Sequence, residues 1–388
     1  MKGRERAAAL LDYLRGRRDA MVDLLVEIAS LESPSDVPAA QAPVQARLTR
    51  ALEERGFMVR HIAGRATGGH LYARPAIRVR GRACQLLIGH SDTVWPLGTT
   101  GSMPVVAENG LVRGPGTFDM KAGLVQGIFA LEALAAVGLE PPATPVWLIN
   151  SDEEIGSPES KRCVRLVARH VARAFVLEPA YGPEGRLKTA RKGIAHFRVT
   201  VRGIPAHAGL DPTAGASAIV EMADVILRLH ALTDLERGTT VNVGTVRGGT
   251  RPNVVAAEAS AEVDVRVVTV ADGERIGRAI QALEPRTRGT TIHVDGGLEV
   301  PPLERTSRNR VLWRQALAAG GSLGLDLEEY MAGGGSDGNT TSQFTATLDG
   351  LGPIGDGAHA RHEAVSIDGM VERAALLAEL LMAPVESA

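Results

Sequence analysis

Apolar positions along the chain change period several times, and each change marks an element. Residues 5–31 and 41–55 carry apolar side chains at helical spacing, which predicts two amphipathic helices. Short continuous apolar runs follow at 84–89 (CQLLIG), 145–150 (PVWLIN) and 173–177 (RAFVL), as expected of strands buried on both faces, with a long helix at 121–137 between the first two. Near residue 190 the pattern becomes alternating. Strand at 194–202, helix at 214–232, strands at 239–246 and 259–268, helix at 272–283 and strand at 290–295 give the order βαββαβ, a split ferredoxin-like unit. After residue 300 a helix at 308–319, a glycine loop at 333–335, an apolar segment at 347–354 and a final helix at 366–382 return to the earlier style. The expected architecture is α/β: a mainly parallel-sheet domain made of 1–189 and 300–388, interrupted by a smaller domain at 190–299.

The chain has 388 residues, enough for about two domains. Its 43 basic and 45 acidic residues leave a net charge of −2, which points to no nucleic-acid or anionic-membrane partner. Two cysteines, Cys84 and Cys163, cannot organise the fold through disulfides. Charges at Asp12, Arg15, Arg17 and Arg18 interrupt the first segment, so it does not read as a signal peptide. No run of apolar residues is of membrane-spanning length. A cytoplasmic location is the expectation.

Chemistry-bearing residues gather just after the expected strands. His90 and Asp92 follow CQLLIG, Asp152–Glu154 follow PVWLIN, Glu178 follows RAFVL, and His359 follows the apolar stretch ending at Ile354. In open α/β sheets ligands bind at the carboxyl ends of the strands. Asp119, in GPGTFDMKAG, alone would be read as a helix cap. Taken with the others, it completes a set that suits metal. Zinc takes imidazole nitrogen and carboxylate oxygen at about 2.0–2.2 Å, and two histidines with three carboxylates exceed the needs of one catalytic ion. They suit two ions about 3.5–4 Å apart that share a carboxylate. Of the adjacent pair Glu153 and Glu154, one can bind metal while the other serves as a base toward water and then as an acid toward the leaving amine.

The motifs GHSDTVWP, GPGTFDMKAG, SDEEIGS, FVLEPA, GIPAHAG, GGGSDG and GDGAHARHE occur in that order and span nearly the whole chain. In this the chain resembles the co-catalytic di-zinc metallopeptidase family of glutamate carboxypeptidase (carboxypeptidase G), aminoacylase-1, acetylornithine deacetylase and succinyl-diaminopimelate desuccinylase. The glutamate carboxypeptidase branch is the nearest match. The resemblance implies two Zn²⁺ per chain, with Co²⁺ or Mn²⁺ as alternatives. It implies His90 and Glu178 on one ion, His359 and Glu154 on the other, Asp119 bridging, Glu153 as general base and Asp92 behind His90. The reaction implied is hydrolysis of an N-acyl amino acid or small peptide by a water or hydroxide shared between the ions, carboxypeptidase-like or deacylase-like.

The same resemblance makes the inserted domain a lid and a homodimerisation surface, from which His207 would reach the partner's site. Arg186, Asn253, Arg266 and the loop Gly333, Gly334, Gly335 match positions near the substrate. One position departs. Relatives often carry an Arg-Pro-Pro run whose arginine holds a substrate carboxylate, whereas here GLEVPPLERT puts Val300 in its place and Arg305 out of register. Two competing readings carry less. A catalytically inactive binding protein on this scaffold should have lost the base or a ligand, yet every position is filled. A nucleotide-dependent enzyme should carry a phosphate loop, and none is present.

Overall fold

The computed structural model describes residues 3–77 and 79–385. The chain divides into two compact units, Met1–Thr189 with Arg305–Met331 and Ser336–Ala388, and Ala190–Glu304 with Ala332–Gly335. The first stretch contains α1 (Gly3–Gly16), α2 (Arg18–Ser30), α3 (Pro38–Glu53), β1 (Phe57–Ile62), β2 (His70–Pro75), β3 (Cys84–His90), β4 (Val106–Glu108) and β5 (Leu111–Arg113). It continues with α4 (Ala122–Ala136), β6 (Thr144–Asn150), α5 (Ser160–Ala168), β7 (Arg173–Val176) and β8 (Leu187–Arg191). The inserted stretch is β9 (Gly193–Arg202), α6 (Ala218–His230), β10 (Thr240–Gly248), β11 (Glu258–Val267), α7 (Val270–Gln281) and β12 (Thr291–Val300). The chain closes with α8 (Ser307–Leu323), β13 (Glu329–Ala332), α9 (Asp337–Thr341), β14 (Ala346–Leu348), β15 (Gly355–Asp356), β16 (Ala364–Ser366) and α10 (Ile367–Leu381).

The main sheet of the first unit runs β1-β2-β6-β3-β7-β14. β6, β3, β7 and β14 are parallel, as the apolar runs predict, and each is buried along nearly its whole length. The other edge is antiparallel. The β1–β2 hairpin was not among the expected elements; it adds an antiparallel edge to a sheet that is otherwise parallel, as expected. The expected helix over 5–31 is two helices separated at Arg17, which leaves helical geometry at φ −102°, ψ 4°.

α4 is buried almost throughout and lies on the sheet. Glycine permits that close approach: a Cβ at Gly127 would stand 2.4 Å from the Trp147 ring, and one at Gly123 would stand 2.1 Å from the Leu177 carbonyl. A smaller four-stranded sheet, β15-β16-β5-β4, flanks the turn that precedes α4.

The second unit is a four-stranded antiparallel sheet in the order β10-β11-β9-β12, the split ferredoxin-like arrangement. Phe197, Val199 and Val201 from β9 pack with Met222, Val225 and Leu229 of α6 and with Ile276 and Ile280 of α7. Ile219, Val220 and Leu227 on α6, with Val246 on edge strand β10, remain exposed. No helix among the described residues is long and apolar enough to cross a membrane.

Candidate metal centre

Three parallel strands of the first unit end at the site. β3 delivers His90 as its last residue, Glu153 and Glu154 lie in the turn after β6, and Glu178 lies two residues beyond β7. Asp119 comes from an irregular turn, 117–121, just before α4, where its backbone is non-helical at φ −113°, ψ 95°. His359 lies in the loop between β15 and β16, in the left-handed region at φ +61°, uncommon for a side chain other than glycine.

His90 Nε2 is 3.4 Å from Asp119 Oδ1 and 3.4 Å from Glu178 Oε1. His359 Nε2 is 3.4 Å from Asp119 Oδ2 and 3.1 Å from Glu154 Oε2. Asp119 therefore turns a different oxygen to each imidazole. Ligand atoms about 2.0–2.2 Å from one ion, at a tetrahedral angle, stand about 3.3–3.6 Å apart. The three 3.4 Å separations match that spacing and exceed those of good hydrogen bonds, while His359 and Glu154 at 3.1 Å stand at hydrogen-bond distance. Consistent with this, His90 Nε2 and Glu154 Oε1 are buried without a hydrogen-bond partner. The donor set fits two divalent ions. Glu153 offers a carboxylate oxygen in a group with His90 and Glu178 whose atoms all lie within 4.8 Å of one another.

Asp92, fully buried, backs the site. Its Oδ2 accepts from Ser35 Oγ at 2.7 Å and the Glu154 amide at 3.2 Å, and its Oδ1 accepts from the Glu153 amide at 3.3 Å. His90 Nδ1 lies 3.0 Å from the Asp92 carbonyl and 3.4 Å from its carboxylate. One residue thus holds both the first imidazole and the backbone carrying the acidic pair.

Charge crowding shows in the titration of the cluster. Burial, with the Glu178 charge, raises Glu153 well above the usual carboxylate range. Burial raises Glu154 too, against the pull of His359. Burial would also raise Asp119, but bonds to His359 and His90 outweigh it and hold the carboxyl low. Asp119 and Glu154 lift His359 to about 10. Without metal, protons on imidazole offset the carboxylates, the task a cation performs when bound.

Of the remaining expected residues, Arg186 belongs to this unit and pairs with Glu184 at 3.3 Å and Glu328 at 3.1 Å. It lines a cavity of about 880 Å³ together with Asp119, Tyr181 and Lys188. His207, Asn253, Arg266, Gly333, Gly334 and Gly335 belong to the second unit. There the Ala208 amide donates to the Asn253 carbonyl at 3.0 Å, so the His207 and Asn253 segments run side by side. Arg266 makes two 2.9 Å bonds to Asp264. Arg191 donates to the carbonyls of Gly334 and Gly335 at 3.2 and 2.9 Å, pinning the glycine loop. Val300 closes β12 beside a register shift, and Arg305 bonds Thr189 at 2.9 Å and Glu329 at 3.1 Å.

Two buried acids to which sequence reasoning gave no role also support the site. Asp337 accepts from Asn150 Nδ2 at 2.7 Å and Ser157 Oγ at 2.9 Å, gripping the far end of the Glu153–Glu154 turn. Glu363 accepts from the turn that carries Asp119. The available signal was position alone: Asp337 falls in GGGSDG and Glu363 four residues after His359.

Residues 189–284 match the peptidase dimerisation domain of the M20 peptidases. Over 97% of its length the chain is 27% identical to carboxypeptidase G2 of Pseudomonas sp. (strain RS-16), covering 92% of that protein. Similarity to M20 peptidases thus extends over nearly the whole chain. The chain is also 26% identical, over 86% of its length and 91% of the relative's, to succinyl-diaminopimelate desuccinylase of Dechloromonas aromatica. Among solved structures, aminopeptidase PepT from Bacillus cereus superposes with a TM-score of 0.81 at 23% identity, over 94% of this chain and 98% of that one. Bacillus subtilis YXEP, described as a dinuclear metal-binding peptidase, superposes with a TM-score of 0.69 at 16% identity, over 95% and 98%. These similarities support a metal-dependent hydrolase.

Proposed function

We propose that this chain hydrolyses the amide bond of an N-acyl amino acid or small peptide at a two-ion centre. The observation that carries the reading is the divided carboxylate of Asp119, with one oxygen 3.4 Å from His90 and the other 3.4 Å from His359. His90 and Glu178 would hold one ion, His359 and Glu154 the other, and Asp119 both. Zinc suits this nitrogen and oxygen set, and cobalt or manganese could replace it. Bound ions would polarise the scissile carbonyl and ease deprotonation of the attacking water.

Glu153 is the acid in the cluster left without a ligand role. Its carboxylate takes a proton from the attacking water as the O–C bond forms, then returns it to the amine nitrogen as the C–N bond breaks. Asp92 keeps His90 aimed and fixes the amides of Glu153 and Glu154. Arg186, Asn253, Arg266 and the Gly333–Gly335 loop are proposed to meet substrate. With Val300 at the position where relatives place an arginine, the leaving group is anchored by a different cation or is less polar than glutamate.

The protein acts as a homodimer in this reading, with His207 of one protomer assisting the site of its partner. Support comes from the matched dimerisation domain and from the exposed apolar side chains of Ile219, Val220, Leu227 and Val246 along α6 and edge strand β10. The test is metal content per chain together with amine release from a panel of N-acyl amino acids and dipeptides. Two ions per chain and chelator-sensitive release are expected. Release that persists after complete metal removal would end the proposal, and stoichiometric metal without hydrolysis of any amide would favour a binding protein instead.

A further inference from the structure

Glu363 is 1% exposed, and both its oxygens are saturated with donors. Oε1 accepts from the amides of Phe118 at 2.9 Å and Asp119 at 3.1 Å, while Oε2 accepts from the amide of Gly116 at 3.0 Å and the indole of Trp95 at 2.9 Å. Its carbonyl accepts from the Gly114 amide at 3.2 Å. The 114–119 turn thus gives Glu363 four of its backbone N–H groups. No regular helix could take them, because the turn is left-handed at Gly116 and non-helical at Asp119. A buried amide without an acceptor is costly, so a carboxylate at this point decides the path of the turn.

The same residue sits in the loop that presents His359. Asp119 and His359 are 240 positions apart in the chain, and Glu363 joins the segments that carry them. We propose that Glu363 is a positioning residue of the metal centre, one that sets the spacing of Asp119 and His359 and thereby the affinity of the ion those two share with Glu154. This rests on the two-ion reading above. Its carboxylate does not meet an ion; it acts on the centre through the backbone of Asp119.

The chemistry of the four partners says why the residue is an acid. All four are donors, and they also offset the cost of burying the charge. Glutamine has the same shape, but whichever way its amide is turned, an NH₂ faces either Phe118 and Asp119 or Gly116 and Trp95. Glu363→Gln therefore loses two acceptor contacts and opposes donor to donor. Glu363→Asp keeps the charge but falls one methylene short. Trp95→Phe removes one donor from Oε2 and leaves the bond to the Asp119 amide in place.

The experiment strips metal from the wild-type protein and these three variants, then titrates Co²⁺ while following stoichiometry and the visible absorption of the bound ion. Wild type should take up two ions. Glu363→Gln should keep one and bind the second about 10–100-fold more weakly, with altered absorption bands. Glu363→Asp should fall between them, and Trp95→Phe should bind like wild type. If Glu363→Gln does not fold, Glu363→Asp carries the comparison alone. A lowered melting temperature with both cobalt affinities and spectra unchanged would make Glu363 merely structural and overturn the proposal. A wild-type protein that takes up no cobalt would remove the two-ion reading itself, and this inference with it.

Discussion

Asp92→Asn exchanges one oxygen for NH₂ and changes almost nothing else. Asp92 accepts from Ser35, Glu153 and Glu154 with no solvent at hand to replace any of them. With the NH₂ at the Oδ2 position, the Ser35 hydroxyl can reverse and donate elsewhere, but the Glu154 amide cannot. With the NH₂ at Oδ1, the Glu153 amide is the one left unpaired. Either orientation strands one buried backbone N–H, at a cost of about 1–3 kcal/mol. The turn can relieve that cost only by swinging its amides away, and this moves the Glu154 carboxylate from His359. Metal affinity should therefore weaken by up to the same free energy, about 5- to 150-fold. The assay is chelator competition on stripped and reloaded protein, alongside urea unfolding of the metal-free form. Asp92→Ala, which strands all three donors, should be worse than Asp92→Asn in both. Metal affinity within about twofold of wild type in Asp92→Asn, with unfolding also unchanged, would refute the reasoning, since the penalty must appear in one or the other.

Glu153→Gln should retain both metals and the wild-type melting temperature while kcat falls about 10²–10⁴-fold; retained turnover would remove the base assignment. His207→Ala should lower kcat about 10²–10³-fold with metal content unchanged, and mixing it with Glu153→Gln should restore activity if the histidine serves the partner's site. Glu221, on α6, is buried and accepts from the amides of Arg286 and Thr287; burial raises its carboxyl, but those bonds prevail and depress it. A depressed folded-state value means that its contribution is full above the ordinary carboxylate range and is lost as pH falls through it. Urea midpoints should accordingly drop less between pH 6 and about 3 in Glu221→Gln than in wild type, and parallel losses would contradict this.

The sequence was most readable where burial is complete. CQLLIG, PVWLIN and RAFVL are mostly apolar because both faces of β3, β6 and β7 are covered. The β1–β2 hairpin gave little sign of itself: FMVRHI is exposed on one side and HLYARP ends in proline, so neither forms an apolar run. The turn at Arg17 was invisible for a different reason. Leu14 and Met21, buried on either side of it, are seven residues apart, the spacing two uninterrupted helical turns would give. At the site, ligand chemistry resides in side-chain identity, and so His90, Asp119, Glu154, Glu178 and His359 could be named as a set. Glu363 and Asp337 act by accepting from amides and hydroxyls that many residue types offer, so no pattern of residue types announces them.

The interrupted first unit also imposes an order of events. His90, Asp119 and Glu178 all precede the insert, whereas His359, the anchor Glu363 and the core helix α10 follow it. On the ribosome, a nascent chain that has just completed β12 holds one imidazole of the centre and lacks the other. It also lacks β14, which completes an edge of the main sheet beside β7. The inserted unit has its own hydrophobic cluster and can fold while the first waits. Closing a loop of such length late in synthesis makes assembly of the complete centre a slow, final step. A chain arrested just after β12 would hold an incomplete site, lacking His359, and a finished small domain.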